Sequence, residues 1–224
     1  LKFRASWGRV GNDRLKDENG NDIRFPYLTT LGNVSSTWGT GLAENRTGSM
    51  NLKWEVSTKT NFGIDARFFD DKVDMTVDFF HTKTTDIFQR RANIPDEGGL
   101  SNVLPYANIG SMKSWGMDGT LAYTHTFNKD MALTVRGNFT HAENEVIYWE
   151  QSGVNYPYQS NSGVPYKVQR GLIALGLFKD EDDIKSSPKQ TFMDNYRPGD
   201  IKYKDVNGDG KIDKDDVVPL NYSA

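Results

Sequence analysis

The chain has no cysteine, so disulfides, thiolate nucleophiles and sulfur metal ligands are excluded. It also has no run near the roughly 18 apolar residues that a membrane helix needs. A helical membrane protein is thereby ruled out. A membrane β-barrel is not, because its signal is dispersed into short alternating segments. An excess of positive charge is missing too: 27 Lys and Arg stand against 30 Asp and Glu, a net −3, which argues against nucleic acid as a partner. Phosphate loops, dinucleotide fingerprints, nucleophile elbows and zinc spacings do not occur. Carboxylate pairs are plentiful, but nothing isolates one for acid–base work. No enzyme is expected. Histidine is scarce, and His81, His125 and His141 fall in separate predicted strands, His81 and His141 toward one end and His125 toward the other. They cannot build one metal site.

What the sequence does contain is alternation. From Thr58 to Phe68, Thr58, Thr60, Phe62, Ile64, Ala66 and Phe68 share one face, and Lys59, Asn61, Gly63, Asp65 and Arg67 the other. A tight turn at Asp70-Asp71-Lys72 follows, and Val73, Met75, Val77 and Phe79 then alternate with Asp74, Thr76 and Asp78 as far as Thr85. A period of two over this length predicts a β-hairpin with one apolar and one polar face. The runs exceed the usual strand of roughly 5–6 residues and reach the roughly 9–11 that cross a bilayer at a tilt. Hydrophobic residues make up 36%, which suits strands that are polar on one side.

Leu1 to Val10 alternates in the same way and ends at the turn signal Gly11-Asn12-Asp13. Two more such strands flank Asn128-Lys129-Asp130. Met117, Gly119, Leu121, Tyr123 and His125 lie on one side of that turn, and Leu133, Val135, Gly137 and Phe139 on the other. Between these strands, residues 12–52, about 86–113 and 143–224 read as irregular, the second carrying Pro95, Gly98, Gly99 and Pro105. Connections thus run long, short, long, short, long. In an antiparallel meander this puts every short turn at one end of the sheet and every long loop at the other, the asymmetry of an outer-membrane barrel. Trp7, Phe68, Phe69, Tyr123 and Phe127 suit aromatic girdles at the strand ends. The expected fold is all-β: an antiparallel up-and-down meander, a segment of a transmembrane β-barrel with long extracellular loops. Residues 1–143 would hold the strands with two long loops, and residues 144–224 a long extracellular loop region.

The sharpest local motif lies in that last region. Asp205, Asn207, Asp209, the Lys211 carbonyl, Asp213 and Asp216 occupy positions 1, 3, 5, 7, 9 and 12 of a Ca²⁺ loop, with Gly210 where the chain must turn and Ile212 as apolar anchor. Hard oxygen ligands at this spacing suit Ca²⁺ over a transition metal. Asp216 replaces the usual bidentate Glu, and Pro198-Gly199 and Pro219 bracket the loop in place of helices. Its expected role is to pin a long loop, not to sense. Residues 180–216 carry eleven carboxylates and seven basic groups, so negative charge concentrates around this motif. Trp38, Trp54, Trp115, Tyr148, Trp149, Tyr156, Tyr158 and Tyr166 are placed in the long loops, where packing a cap is the expected use and stacking on sugar the alternative.

Taken in order, Leu1–Asp13, Asn51-Leu-Lys-Trp-Glu55, Gly63-Ile-Asp65, Phe68-Phe-Asp70, Asn108-Ile-Gly110 and above all Pro198–Asp213 resemble SusC/RagA-type TonB-dependent transporters of Bacteroidetes. One departure is Ser114-Trp115-Gly116, where that family more often has Asn and a small or charged residue before the glycine; it bears on a local turn expected there. The resemblance implies an outer-membrane barrel of about 22 strands with a plugged lumen, of which this chain is a mid-to-late segment. It also implies a SusD-like surface lipoprotein, TonB acting through an N-terminal plug, outer-membrane lipid around the barrel, and a glycan substrate, or peptide in the RagA branch. Leu1 falls in mid-pattern and Ala224 just after an apolar run, as expected of a piece of something larger. A second reading stays open at this point: a soluble, calcium-stabilised β module for carbohydrate binding or adhesion.

Overall fold

The computed structural model describes residues 1–16, 20–37, 39–94 and 103–220. Trp38, Pro95, Gly98 and Gly99, which the sequence reading placed in loops, lie outside the described residues. The chain divides into two compact units, Leu1–Ser152 and Gly153–Ala224.

The first unit is built on β1 (Lys2–Asn12), β4 (Glu55–Phe68), β5 (Val73–Arg90), β6 (Tyr106–Asn128) and β7 (Met131–Tyr148), hydrogen-bonded antiparallel in that order. Between β1 and β4 a separate antiparallel pair is formed by β2 (Thr30–Ser36) and β3 (Gly39–Arg46). The short connections are Phe69–Lys72 and Lys129-Asp130. In the first, Phe69, Asp70 and Asp71 all take positive φ, between 55° and 63°. In the second, the Asn128 side chain accepts the Asp130 amide at 3.0 Å, a side-chain-closed turn. Both fall at one end of the sheet; the long connections leave from the other.

Register decides what the alternation is for. Ala5, Phe62, Phe79, Met117 and His141 stand opposite one another across the five strands. Phe3, Ile64, Val77, Gly119 and Phe139 form the next row. Since side chains directly across a sheet share a face, the apolar sets merge into one continuous surface. Most of its large side chains stay exposed: Phe3 is 62%, Leu121 51% and Val135 60% accessible. Toward the long-loop end the surface stops abruptly. A row of Trp7, Thr60, His81, Trp115 and Glu143 is followed by Thr58, Lys83, Lys113 and Glu145, with Lys113 and Glu145 paired at 3.0 Å. Phe68 and Tyr123, with Phe127 beyond, mark the short-turn end. The apolar band therefore has aromatic edges and a charged upper border.

The opposite face is polar. Arg4, Gly63, Asp78, Asp118 and Thr140 form one of its rows. The Arg4 guanidinium donates to both Asp65 oxygens at 2.9 and 3.0 Å and to Asp78 Oδ2 at 2.8 Å. Gly63 lies between them: a Cβ there would collide with Asp78 Oδ1 and come within 2.8 Å of Arg4 Cζ. Glycine inside a strand marks a close approach, and here it lets one arginine reach carboxylates on two strands.

Several expectations need correction. Residues 12–52 are not simply irregular, for β2 and β3 lie within them. Along β3 every side chain but that of Arg46 is exposed, so no buried face imposes a readable period. The stretch from Asp86 to Lys113 begins and ends in strand, β5 reaching Arg90 and β6 starting at Tyr106. Asp86 has φ of 56° and the β5–β6 register shifts between Thr84 and Ile87. A bulge of this kind slips the phase of alternation and hides the continuation. For the same reason β7 runs on to Tyr148, past a shift beside Ser111. Ser114-Trp115-Gly116 is mid-strand, not a turn. A Cβ on Gly116 would collide with the His141 carbonyl and sit 2.6 Å from Phe80 Cζ, so sterics explain that glycine. Trp115 is accordingly a strand residue, with Lys113 Nζ 5.3 Å from its ring centre, and Tyr148 closes β7.

The second unit contains β8 (Arg170–Gly171), β9 (Ala174–Leu177), α1 (Glu181–Ser186), β10 (Lys189–Gln190), β11 (Ile201–Tyr203), β12 (Lys211–Ile212) and β13 (Val218–Pro219). They form three two-stranded patches, β9–β11, β10–β12 and β8–β13. Phe178, Ile212 and Val218 are its buried apolar residues. Asp180 caps α1 by accepting the Asp183 amide at 2.8 Å.

Candidate functional site

The predicted calcium residues occupy one turn of the second unit. Strand β11 leads in, Gly208 and Gly210 adopt φ of 78° and 83°, and Ile212 is fully buried in β12. Such φ values suit glycine and would strain other residues. The side chains then close the turn on itself. Asp205 accepts the Gly208 amide through Oδ1 at 2.6 Å and the Gly210 amide through Oδ2 at 2.9 Å. Asn207 and Asp209 accept the amides two residues on, at 3.0 and 2.9 Å. Asp213 accepts the Asp215 amide at 2.8 Å within the 3₁₀ turn Lys214–Asp216.

Asp216 does most to close the loop. It is fully buried, its Oδ1 accepts the Val206 amide at 2.7 Å, and its Oδ2 accepts the Asp213 amide at 2.9 Å. Buried polar oxygens are costly unless they find such donors. Position 12 of the motif is thereby tied to positions 2 and 9. Asp205, Asn207, Asp209, Asp213 and Asp216 thus lie along one turn, each bonded to backbone, while Lys211 is an exposed residue of β12. Among the described residues no three acidic or histidine side chains are grouped to hold a metal. The donor set is nonetheless hard oxygen throughout, and each carboxylate oxygen that accepts one amide retains a second lone pair.

A tyrosine turn braces this loop. The 3₁₀ turn Pro157–Gln159 stacks Tyr156 on Tyr158, ring centres 5.3 Å apart. The Tyr158 hydroxyl donates to the Asp215 carbonyl at 2.7 Å, and Gln159 donates to Asp215 Oδ1 at 3.1 Å. Asn207 donates to the Tyr156 hydroxyl at 3.3 Å. Burial raises the Tyr158 phenol pKa, and the neighbouring Tyr156, Asp216, Asp215 and Asp205 reinforce the shift, which keeps the donor proton on it. These two loop aromatics pack, as expected of a cap. Elsewhere in the unit Lys202 bonds to Asp183 at 2.7 Å and, with the Lys179 amide, holds that carboxyl below the usual carboxylate range.

Three features of the first unit have no reading in the sequence. Glu150, 7% exposed, accepts the Ala92 and Asn93 amides at 2.9 and 2.7 Å and the Arg91 guanidinium at 2.8 Å. Burial pushes this carboxyl up, but the two amides and the guanidinium outweigh it and leave it below the ordinary range. The partners lie 57 to 59 residues apart, with no local signature. The second feature is a pair of cavities sharing Tyr106, of about 390 and 280 Å³. The Arg4–Asp65–Asp78 cluster was also missed, although the glycine between alternating charges at residue 63 was a usable signal. The three histidines stay apart as expected, His141 bonding Glu143 at 3.2 Å and His125 lying against Phe127.

Comparison with known proteins places these features. A family described as TonB dependent receptor-like, beta-barrel, matches residues 1–210. The TonB-dependent receptor P39 of Formosa agariphila is 30% identical over 247 residues, covering 95% of this chain and 23% of the relative. The TonB-dependent receptor SusC of Bacteroides thetaiotaomicron is 25% identical over 231 residues, covering 96% and 21%. Among solved structures, the RagAB peptide importer in its open-open state superposes with a TM-score of 0.65 at 21% identity, over 96% of this chain and 22% of that one. Its closed-closed state gives 0.62. The chain spans about a fifth of the length of the curated relatives it matches.

Proposed function

The chain belongs to the TonB-dependent receptor-like β-barrel family, an outer-membrane family of receptors and not of enzymes, and on that premise we propose that it is a wall segment of an importer of oligosaccharides. The observation that carries the reading is the sheet itself. It has a continuous exposed apolar face bordered by aromatics, a polar face behind it, and every long loop at one end. An apolar surface of that extent is stable against lipid and not against water. The apolar face meets the outer membrane, the polar face lines the lumen, the short turns point to the periplasm and the long loops to the exterior. Family membership displaces the soluble-module reading.

The partners follow the same premise: a SusD-like surface lipoprotein over the long loops, and TonB acting through a plug carried elsewhere in the receptor. Glycan is the substrate class; the likeness to a peptide importer supports peptide as the second. The test is deletion of the gene followed by growth on defined glycans and on oligopeptides, together with affinity purification of the tagged receptor. Loss of growth on a glycan and recovery of a SusD-like lipoprotein are expected. Normal growth on every glycan with loss on peptides would overturn the glycan assignment.

Calcium belongs to the same proposal. Asp205, Asn207, Asp209, the Lys211 carbonyl, Asp213 and Asp216 would hold Ca²⁺, whose charge would offset the acidic loop and stiffen it. Calorimetry on EGTA-treated receptor should show heat on Ca²⁺ addition that Asp209→Ala abolishes. No heat in either protein would remove the cation from the account.

A further inference from the structure

We propose that Arg9, Lys83 and Lys113 form a strip that seats the phosphate headgroup of an outer-leaflet lipid; this rests on the membrane orientation given above. The three lie in one row across β1, β5 and β6, with Thr58 of β4 between the first two. Thr58, Lys83 and Lys113 are each four residues along their strand from Phe62, Phe79 and Met117. An even separation keeps them on the same face as the apolar band.

Two tryptophans fix the depth of the strip. Trp7 and Trp115 stand in the row immediately beneath it, and Trp7 is 70% exposed. Tryptophan on a lipid-facing strand sits where hydrocarbon gives way to headgroups. Two further residues of strand add about 7 Å, somewhat less along the membrane normal for a tilted strand. That carries the cations from the hydrocarbon boundary to the level of the phosphates. The other end of the face has no counterpart. Toward the short turns it carries Phe68, Val73, Tyr123 and Val135, a row without lysine or arginine.

The charges of the strip do not cancel. Lys83 stands directly opposite Lys113, and like charges so placed destabilise a sheet. Lys113 is engaged by Glu145 at 3.0 Å and lies over the Trp115 ring. Glu143, the other carboxylate at this border, bonds to His141. Arg9 and Lys83 are exposed, and among the described residues neither has an ion pair. The row therefore holds three cations against the single carboxylate of Glu145. An anion over Lys83 relieves the repulsion, and the Arg9 guanidinium offers the paired donors that phosphate oxygens accept. The apolar band directly beneath takes acyl chains. Charge and apolar contact together select a lipid over a free anion.

The full-length receptor carrying this segment, purified in a neutral detergent, is titrated by thermophoresis with three probes. They are lipid A, its dephosphorylated form and inorganic phosphate. Lipid A is expected to bind at least about tenfold tighter than the dephosphorylated form, and inorganic phosphate not to bind measurably. Arg9→Gln and Lys83→Gln should each weaken lipid A about fivefold, the worth of one basic residue near an anionic surface. Both should leave the dephosphorylated lipid unchanged. Lys72→Gln, in a short turn at the far end of the sheet, is the charge control and should alter neither. Equal binding of the two lipids, or equal losses in Lys72→Gln and Lys83→Gln, overturns the strip and leaves the orientation standing. Inorganic phosphate binding as tightly as lipid A overturns the lipid as occupant. Binding of neither lipid overturns the strip and the orientation together. Phosphate selectivity with normal growth of the deletion strain upholds the strip and sinks only the import reading.

Discussion

The two units of this chain are held together by different means. In Leu1–Ser152 the backbone ladder is long and regular, strands β5, β6 and β7 running 18, 23 and 18 residues, but few apolar side chains are buried. Among the described residues of Gly153–Ala224 no strand exceeds 4 residues, and the chain is closed by carboxylates and hydroxyls bonding backbone amides and carbonyls. The first unit satisfies its backbone internally and leaves its side chains to the surroundings, which is what a bilayer demands. The second does the reverse, spending side chains on backbone groups that no ladder reaches. The two units solve the same polar-group problem by opposite routes.

That contrast can be broken from either side. The largest effect should come from a charge at the middle of the apolar band. Val77→Arg should destabilise the full-length receptor in bilayers by about 2–4 kcal/mol, whereas Thr76→Arg, one residue away on the polar face, should be nearly neutral. Urea titration of folding into liposomes compares the two, and equal costs would show that the apolar face does not meet lipid. Next comes Asp216→Ala in the second unit. It strands the Val206 and Asp213 amides and should cost about 3 kcal/mol locally, read as lost hydrogen-exchange protection across residues 205–216. Unchanged protection would mean that the loop is not closed by this carboxylate.

Acidification should discriminate more gently. Asp183 and Glu150 both have carboxyls held below their ordinary range. The stabilisation each supplies is present above the unfolded value, about pH 4, and is lost as pH falls through the lower folded value. Exchange of the Lys179, Ala92 and Asn93 amides should accelerate over that window while the amides of β5 and β6 stay protected. Acceleration in the strands first would reverse the contrast. The smallest effect is expected from Gly63→Ala, which crowds Asp78 and Arg4. Because the Arg4 and Asp65 side chains are 38% and 34% exposed, solvent screens the disturbed pairing and the melting temperature should fall only slightly. Thermal melting of the receptor checks it.

How much of this was legible varied with range along the chain. The strands from Lys2 to Asn12 and through both hairpins were readable because alternation is a local property of a pleated backbone. The bulge at Asp86 concealed the long-loop halves of β5 and β6, since one extra residue inverts the pattern without changing composition. β2 and β3 were invisible for a different reason: along β3 every side chain but that of Arg46 is exposed, so there is no buried face for alternation to record. In the acidic loop the spacing from Asp205 to Asp216 was plain, but not that Asp216 would be buried under the Val206 and Asp213 amides.

Sequence alone determined which face of each strand is apolar, where the two tight turns fall, and that the long connections gather at one end. A period of two and a turn residue act over a few ångströms of neighbouring chain and need no partner to be read. Tertiary structure alone decided the pairings across strands and loops: that Arg4 meets Asp78 across Gly63 and that Glu150 reaches Arg91. Those contacts join residues 59 and 74 apart, where pairing follows from register and loop closure and leaves no mark on the local order of residues.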